Sequence, residues 1–155
     1  MIKPKGQAGI RIPAPTLAMI HITMAVLLGW LAPLPIPAPM FIQWLGVGFA
    51  ALGFVFGVLA LIEFRRVRAA LDPKKPTKIL VTSGVYRFTR NPTYLGFVFM
   101  LIGLPMTVGT YWGVILIWPL VVFMNNLIIK HEEAFLEKEF KSQYVDYRSR
   151  VRRWL

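Results

Sequence analysis

Long apolar runs separated by short polar connections dominate the chain. Each run approaches the roughly 20 residues that a membrane-spanning helix needs. The pattern predicts four spans, at about residues 17–34, 41–62, 92–108 and 111–130. The last two share one uncharged stretch, Leu95 to Ile129, with a turn marked by Pro105 and Gly109. The predicted fold class is therefore an all-α integral membrane protein with four transmembrane helices, the last two forming a tight hairpin.

The residues after Lys130 are polar but keep a helical rhythm. Apolar side chains step by three and four positions, which is typical of one face of a helix: Leu136, Phe140, Tyr144, Tyr147, Val151 and Trp154. With its basic opposite face, the tail 131–155 is predicted to form an amphipathic helix at the membrane interface. Residues 63–91 are predicted to form a basic loop. We expect residues 1–155 to make a single membrane domain.

Two features inside the predicted spans carry further expectations. The second span has a smooth face that allows a neighbouring helix to approach closely; its residues are Gly46, Ala50, Gly53 and Gly57. The first span contains His21, an ionisable residue at membrane depth. We expect a neutral His21 that is hydrogen-bonded between helices.

Composition supports the membrane class and limits the metal chemistry. Hydrophobic residues make up 56% of the 155, more apolar surface than a soluble domain of this size buries. The chain has no cysteine and two histidines, so disulfides are excluded and no metal site is predicted.

The basic residues are distributed as topology requires. The net charge of +11 comes from 18 Lys and Arg against 7 Asp and Glu, a balance that in a soluble protein would suggest nucleic acid. Here every Lys and Arg lies before the first span, in the central loop or in the tail, and the connections 32–40 and 106–111 are uncharged. This positive-inside pattern predicts that both termini are cytoplasmic. It also predicts anionic membrane lipids, and not nucleic acid, as partners of the basic residues.

The first segment could imitate a signal peptide, but an uncleaved anchor fits the three spans that follow. The compact size favours a bacterial inner membrane.

Two polar clusters flank the last uncharged stretch, Arg90-Asn91-Pro92-Thr93-Tyr94 and His131-Glu132-Glu133. If the stretch crosses the membrane and returns, both clusters lie side by side on the cytoplasmic face. Helix initiation alone explains the first cluster, because Asn is a good N-cap and Pro suits the first helical position. The acids oppose the macrodipole at the end of a span. A solvated start of the tail helix, a bound cation or donors on a ligand would compensate them.

The order and spacing of several short motifs resemble one enzyme family. Leu80 to Tyr86 is similar to its LVTSGVY motif, and Arg90 to Gly96 resembles its RHPxYxG motif. Glu132-Glu133 and the later aromatic residues resemble its closing pattern. Over residues 78–154 the chain thus resembles the isoprenylcysteine carboxyl methyltransferases and their relatives, the membrane phospholipid methyltransferases.

The resemblance implies an integral membrane enzyme that uses S-adenosylmethionine. Carried over by position, the cofactor contacts are Lys78, Ile79, Leu80, Val81, Tyr86, Asn91, Pro92, Thr93, Tyr94 and Glu132. The family has a histidine at the position of Asn91, and its substrate-binding arginine corresponds to Ile128. Neighbouring polar residues are predicted to bind substrate instead: Asn125, Asn126 and Lys130.

The predicted reaction is methyl transfer to a lipid-like or prenylated acceptor. A carboxylate acceptor needs no base, whereas an amine acceptor must lose a proton, which Glu133 or His131 would take. Arg90 would orient an anionic acceptor. The acceptor and the oligomeric state are left open. The alternatives are a phospholipid N-methyltransferase, an NADPH-dependent sterol or enone reductase, and a non-enzymatic membrane protein.

Overall fold

Five α-helices build the chain in the computed structural model, which describes residues 13–36, 40–69 and 79–155. They are α1 (Ala14–Leu31), α2 (Met40–Ala69), α3 (Pro92–Thr107), α4 (Trp112–Phe123) and α5 (Lys130–Arg150). A 3₁₀-helix, Gly84–Arg87, precedes α3, and a π-helical segment, Met124–Ile129, joins α4 to α5 without a break. The described ranges contain no strand beyond an isolated bridge between Pro35 and Thr110. The predicted all-α class is confirmed.

Among the described residues, three stretches of helix are long and apolar enough to cross a membrane. They are α1, residues Met40–Val67 of α2, and the continuous run Trp112–Arg150. Helix α3 is apolar but has 16 residues, which at 1.5 Å per residue gives roughly 24 Å against about 30 Å of hydrocarbon core. The third predicted span, 92–108, is therefore a short helix, and its crossing stays a prediction.

Helix α2 continues well beyond the predicted end of its span. Glu63, Arg65 and Arg66 are helical, and the helix ends at Ala69. These charged residues have good helix propensity, and the sequence has no proline or glycine until Pro73. The first part of the polar loop that was predicted for residues 63–91 is therefore helical as far as Ala69.

The tail is a bent helix rather than one amphipathic helix. Lys141 has φ 47° and ψ −122°, a non-helical conformation that interrupts α5. Val151 and Trp154 lie beyond the end of the helix, so the predicted single face is wrong. Tyr144 is buried within the protein, at 1% exposure, instead of facing lipid.

The core lies between α1, the middle of α3, α4 and the π-helical segment. Its members are Ala14, Leu17, Ala18, Ile22, Ala25, Leu101, Leu116, Leu120, Met124, Ile128 and Ile129. His21 joins this core at 4% exposure. Its Nδ1 is 2.8 Å from the Leu17 carbonyl oxygen in the same helix, and its ring meets Phe123 edge-on at 5.9 Å. The contact of His21 between helices is therefore aromatic, and its observed hydrogen bond lies within α1, not between helices as predicted.

Close backbone contact joins α2 to α3. A Cβ atom on Gly103 would meet the Ala50 backbone nitrogen and would lie 2.5 Å from the Gly46 carbonyl oxygen. A Cβ atom on Gly53 would lie 2.5 Å from the Gly96 carbonyl oxygen. Gly46 and Gly53 are therefore required for this packing, as the sequence predicted, whereas a Cβ atom on Gly57 would meet nothing within 4 Å.

The two uncharged connections meet at one end of the bundle. The Ile36 amide donates to the Gly109 carbonyl oxygen at 3.0 Å, and the Tyr111 amide donates to the Leu34 carbonyl oxygen at 3.1 Å. The Trp112 indole donates to the Ala32 carbonyl oxygen at 2.7 Å. The polar residues around the 3₁₀-helix and α5 consequently gather at the opposite end.

Candidate functional site

A tyrosine–carboxylate pair joins the two polar clusters at the charged end of the bundle. Asn91 occupies the N-cap position of α3 and Pro92 its first turn, which places Tyr94 at the start of the helix. The Tyr94 hydroxyl lies 2.8 Å from each carboxylate oxygen of Glu132. The predicted meeting of the two clusters is confirmed.

Glu132 is half-buried just beyond the apolar part of the last candidate span, which ends at Ile129. Burial raises the pKa of its carboxyl, and the neighbouring Glu133 raises it further, while the hydrogen bond from Tyr94 lowers it. A carboxylate has about four acceptor positions. One phenol cannot satisfy them all, so Glu132 can accept hydrogen bonds from a ligand.

Glu133 is neutralised by two arginines. Arg90 Nη1 is 3.1 Å from Glu133 Oε1 and Arg153 Nη2 is 2.6 Å from Oε2. The side chains of Arg90 and Glu133 are 10% and 13% exposed. Arg90 Nη1 also donates to the Tyr144 hydroxyl at 3.1 Å. For Glu133, side chains of the chain itself thus provide the compensation for which a solvated helix start, a bound cation and ligand donors were left open.

The macrodipole argument for the acids is also wrong. The helix runs through the π-helical segment into α5, so Glu132 and Glu133 do not lie at a helix C-terminus. The sequence suggested an end there because polarity changes abruptly after Ile129. The change in polarity shows where the apolar part of the helix ends, whereas the helical backbone continues into α5.

The C-terminal residues are hydrogen-bonded to the start of α3. We call Arg152 and Arg153, whose carbonyl oxygens accept these bonds, the tail clip. The Arg90 amide donates to the Arg152 carbonyl oxygen at 3.0 Å. The Asn91 side-chain amide donates to the Arg153 carbonyl oxygen at 2.9 Å, and the Thr89 hydroxyl donates to the same oxygen at 3.3 Å. Asn91 makes no side-chain capping hydrogen bond. Its amide nitrogen is engaged in holding the tail.

Tyr86 approaches the site from the 3₁₀-helix. Burial raises the pKa of its phenol, and the negative charges of Glu132 and Glu63 raise it further. The Tyr147 hydroxyl donates to the Tyr86 carbonyl oxygen at 2.7 Å. Helix α5 therefore supplies Glu132 and also holds the segment that carries Tyr86.

The other predicted cofactor contacts are less closely gathered. Pro92 is buried and Thr93 half-buried at the start of α3, Leu80 and Val81 are half-buried, and Ile79 is exposed. Lys78 lies outside the described residues. Among the predicted cofactor residues, Tyr94 is hydrogen-bonded to Glu132, and the charge of Glu132 raises the pKa of Tyr86.

The predicted substrate residues lie on the π-helical segment and the turn after it. Asn126 and Lys130 are exposed and joined by a hydrogen bond of 2.7 Å from Nζ to Oδ1. Asn125 is half-buried, and its Oδ1 is buried without a hydrogen-bond partner among the described residues. His131 is exposed. The π-helix, a conformation frequent at functional sites, thus carries one buried amide oxygen without a hydrogen-bond partner among the described residues.

Four residues of this region were not predicted in these roles: Glu63, Tyr144, Tyr147 and Arg153. The tyrosines belonged to the apolar rhythm of the tail, which was interpreted as a lipid-facing surface. Arg153 reaches Glu133 only because the chain folds back after the kink at Lys141. No local sequence signal indicates that contact.

Fold and site together define a helical membrane protein with a half-buried tyrosine–carboxylate pair at the charged end of its bundle. The sequence profile of the phospholipid methyltransferase family matches residues 41–143. This is more than half of the chain, and the chain belongs to that family.

Two curated relatives are similar over parts of the chain. Protein-S-isoprenylcysteine O-methyltransferase of Schizosaccharomyces pombe is 29% identical over 111 residues, covering 70% of this chain and 47% of that protein. The protein of the same name from Saccharomyces cerevisiae is 34% identical over 79 residues, covering 50% of this chain and 33% of that protein. The chain spans less than half the length of these relatives. No solved structure matches it.

Proposed function

We propose that the chain is an S-adenosylmethionine-dependent methyltransferase acting on a lipid-like or amphipathic acceptor. The observation that carries this proposal is the Tyr94–Glu132 pair, which lies at the charged end of the bundle within the segment that matches the family. The methyltransferase names of both relatives support it.

The hydrogen-bonding capacity and charge of this pair suit S-adenosylmethionine. Glu132 keeps acceptor positions for an amino group or ribose hydroxyls, and its negative charge complements a cationic ligand. Tyr86 and Tyr94 offer aromatic surface, which attracts cations. When bound, S-adenosylmethionine supplies an electrophilic methyl group on a sulfonium.

The side chains of the site contribute positioning and water exclusion, which supply most of the catalysis in such a transfer. Tyr94 orients the Glu132 carboxylate through its hydroxyl. Glu133 and Arg90 neutralise each other, so in this proposal they hold the start of α3 against α5 instead of acting as base and acceptor-binding residue. The exposed His131 remains the candidate base for an amine acceptor.

Two acceptor classes are supported by different observations. The relatives are named for prenylated cysteine, whose carboxylate needs no base. The family description names phospholipids, which fits the phospholipid N-methyltransferase alternative. For either acceptor we propose Asn125, Asn126 and Lys130 as contacts, because Asn125 Oδ1 lacks a partner among the described residues. The buried Ile128 is 2% exposed and offers only apolar contact.

The proposed topology has four spans, with α3 as the short one and both termini in the cytoplasm, in a bacterial inner membrane. The meeting of the two uncharged connections at one end of the bundle supports it. The donor would enter from the cytoplasm, and the acceptor from the bilayer.

A radiolabelled methyl-transfer assay tests the function. Purified protein in lipid is given S-adenosylmethionine labelled on the methyl group, with either N-acetyl-S-farnesylcysteine or phosphatidylethanolamine vesicles. We expect label in one acceptor and loss of transfer in Glu132→Gln. Transfer should be normal in the control Glu137→Gln, because the Glu137 side chain is 45% exposed. Enone reduction with NADPH and no methyl transfer would contradict the proposal and favour the reductase alternative.

A further inference from the structure

A second buried carboxylate lies outside the Tyr94–Glu132 pair. Glu63 is 9% exposed and sits on α2, directly after the apolar stretch that ends at Ile62. A buried carboxylate is costly unless it accepts hydrogen bonds. The Ser83 hydroxyl donates such a bond to Glu63 Oε1. The bond connects a membrane helix to the loop before the 3₁₀-helix.

The turn next to Ser83 is shaped to fit this carboxylate. Gly84 has φ +56°, a conformation that favours glycine. A Cβ atom at Gly84 would lie 2.7 Å from Glu63 Oε2 and 2.8 Å from Cδ. The glycine thus allows both the backbone conformation and the close approach of the turn to Glu63.

The same turn begins the 3₁₀-helix that carries Tyr86 toward the donor site. The Tyr86 carbonyl oxygen is held by Tyr147 from α5 at 2.7 Å. Glu63 holds the preceding turn from α2 through Ser83. The segment 83–87 is therefore fastened to two helices, to α2 at Ser83 and to α5 at Tyr86.

We infer that Glu63 is a positioning residue, which anchors the Ser83–Gly84 turn so that Tyr86 lies over the donor site beside Glu132. This inference rests on the proposed donor site. It deepens that proposal because it makes α2, through Glu63, responsible for holding the loop that carries Tyr86 in place. Glu63 acts through Ser83 and Gly84 and takes no part in the transfer itself.

The test combines ligand affinity with local hydrogen exchange. S-adenosylhomocysteine binding is measured by calorimetry for Glu63→Ala, Glu63→Gln and the control Glu137→Ala. Loss of a hydrogen bond to a charged group corresponds to about a tenfold to hundredfold weaker affinity. We expect that loss in Glu63→Ala and near-normal binding in Glu63→Gln, which keeps an acceptor for Ser83. Deuterium uptake should rise in residues 79–91 of Glu63→Ala and stay unchanged in the control.

A double-mutant cycle adds a check on the mechanism. If Glu63 acts through Ser83, the variant carrying both Glu63→Ala and Ser83→Ala should bind no more weakly than the weaker single variant. Normal affinity in Glu63→Ala, or increased exchange spread over all helices, would overturn the positioning role. A wild-type protein that binds no S-adenosylhomocysteine would refute the proposed function. In that case exchange at residues 79–91 still decides whether Glu63 anchors the loop.

Discussion

Replacing Glu133 with alanine removes the counter-charge of a nearly buried guanidinium. Arg90 is 10% exposed and depends on Glu133 at 3.1 Å, whereas Arg153 is 34% exposed and can turn to water. Breaking a buried ion pair by removing one partner costs about 3–5 kcal/mol. The cost arises mainly at Arg90, whose Nε already lacks a hydrogen-bond partner among the described residues.

The chain offers a matched control for this variant. Glu137 pairs with Arg148 at 3.0 Å, but both side chains are more than 40% exposed, at 45% and 43%. Such a surface pair contributes about 0.2–1 kcal/mol, so Glu137→Ala should change stability little. The two variants remove the same side chain from the same helix and differ in burial.

Thermal unfolding followed by circular dichroism in detergent measures the difference. In a chain of this size each kcal/mol moves the Tm by about 2–4 °C. Glu133→Ala should lower the Tm by roughly 6–20 °C. Replacing Arg90 and Glu133 together by leucine should be less damaging than Glu133→Ala, because no buried charge is left unpaired and the more exposed Arg153 can turn to water. Equal Tm values for Glu133→Ala and Glu137→Ala would refute the reasoning.

Three further outcomes are expected. Lys141→Gly should raise stability by about 1 kcal/mol because φ 47° suits glycine, whereas Lys138→Gly, within the helix, should lower it in the same unfolding assay. Gly103→Ala should cost about 1–3 kcal/mol by forcing α2 and α3 apart, while Gly48→Ala, which meets nothing within 4 Å, should not destabilise. Calorimetric affinity for S-adenosylmethionine should rise with pH above 4.5, because the pKa of Glu132 is raised and its charged form binds the cation. Glu132→Gln should remove that rise. Wild-type affinity that does not change with pH would contradict this prediction.

Much of the architecture could be predicted because membrane burial imposes simple rules on sequence. Span length placed the helices, and the uncharged stretch from Leu95 to Ile129 placed Tyr94 beside Glu132. The end of α2 was not predictable from polarity alone. Its charged residues leave the membrane without breaking the helix.

The contacts of the tail could not be predicted for a different reason. A lysine with positive φ has no sequence signature, and the bend at Lys141 decides which residues meet after it. The sequence therefore did not indicate that Arg153, besides Arg90, pairs with Glu133, or that Asn91 is hydrogen-bonded to the tail clip. The amide of Asn91 holds a backbone carbonyl where the resemblance suggested a cofactor contact.

Calorimetry of the purified protein with S-adenosylhomocysteine tests the central claim most directly. The account predicts saturable binding by the wild type, and weaker binding by Tyr94→Phe and Glu132→Gln without loss of helical structure. Binding of NADPH with no binding of S-adenosylhomocysteine would contradict it. Wild-type affinity in Glu132→Gln would equally show that the tyrosine–carboxylate pair is not the donor site.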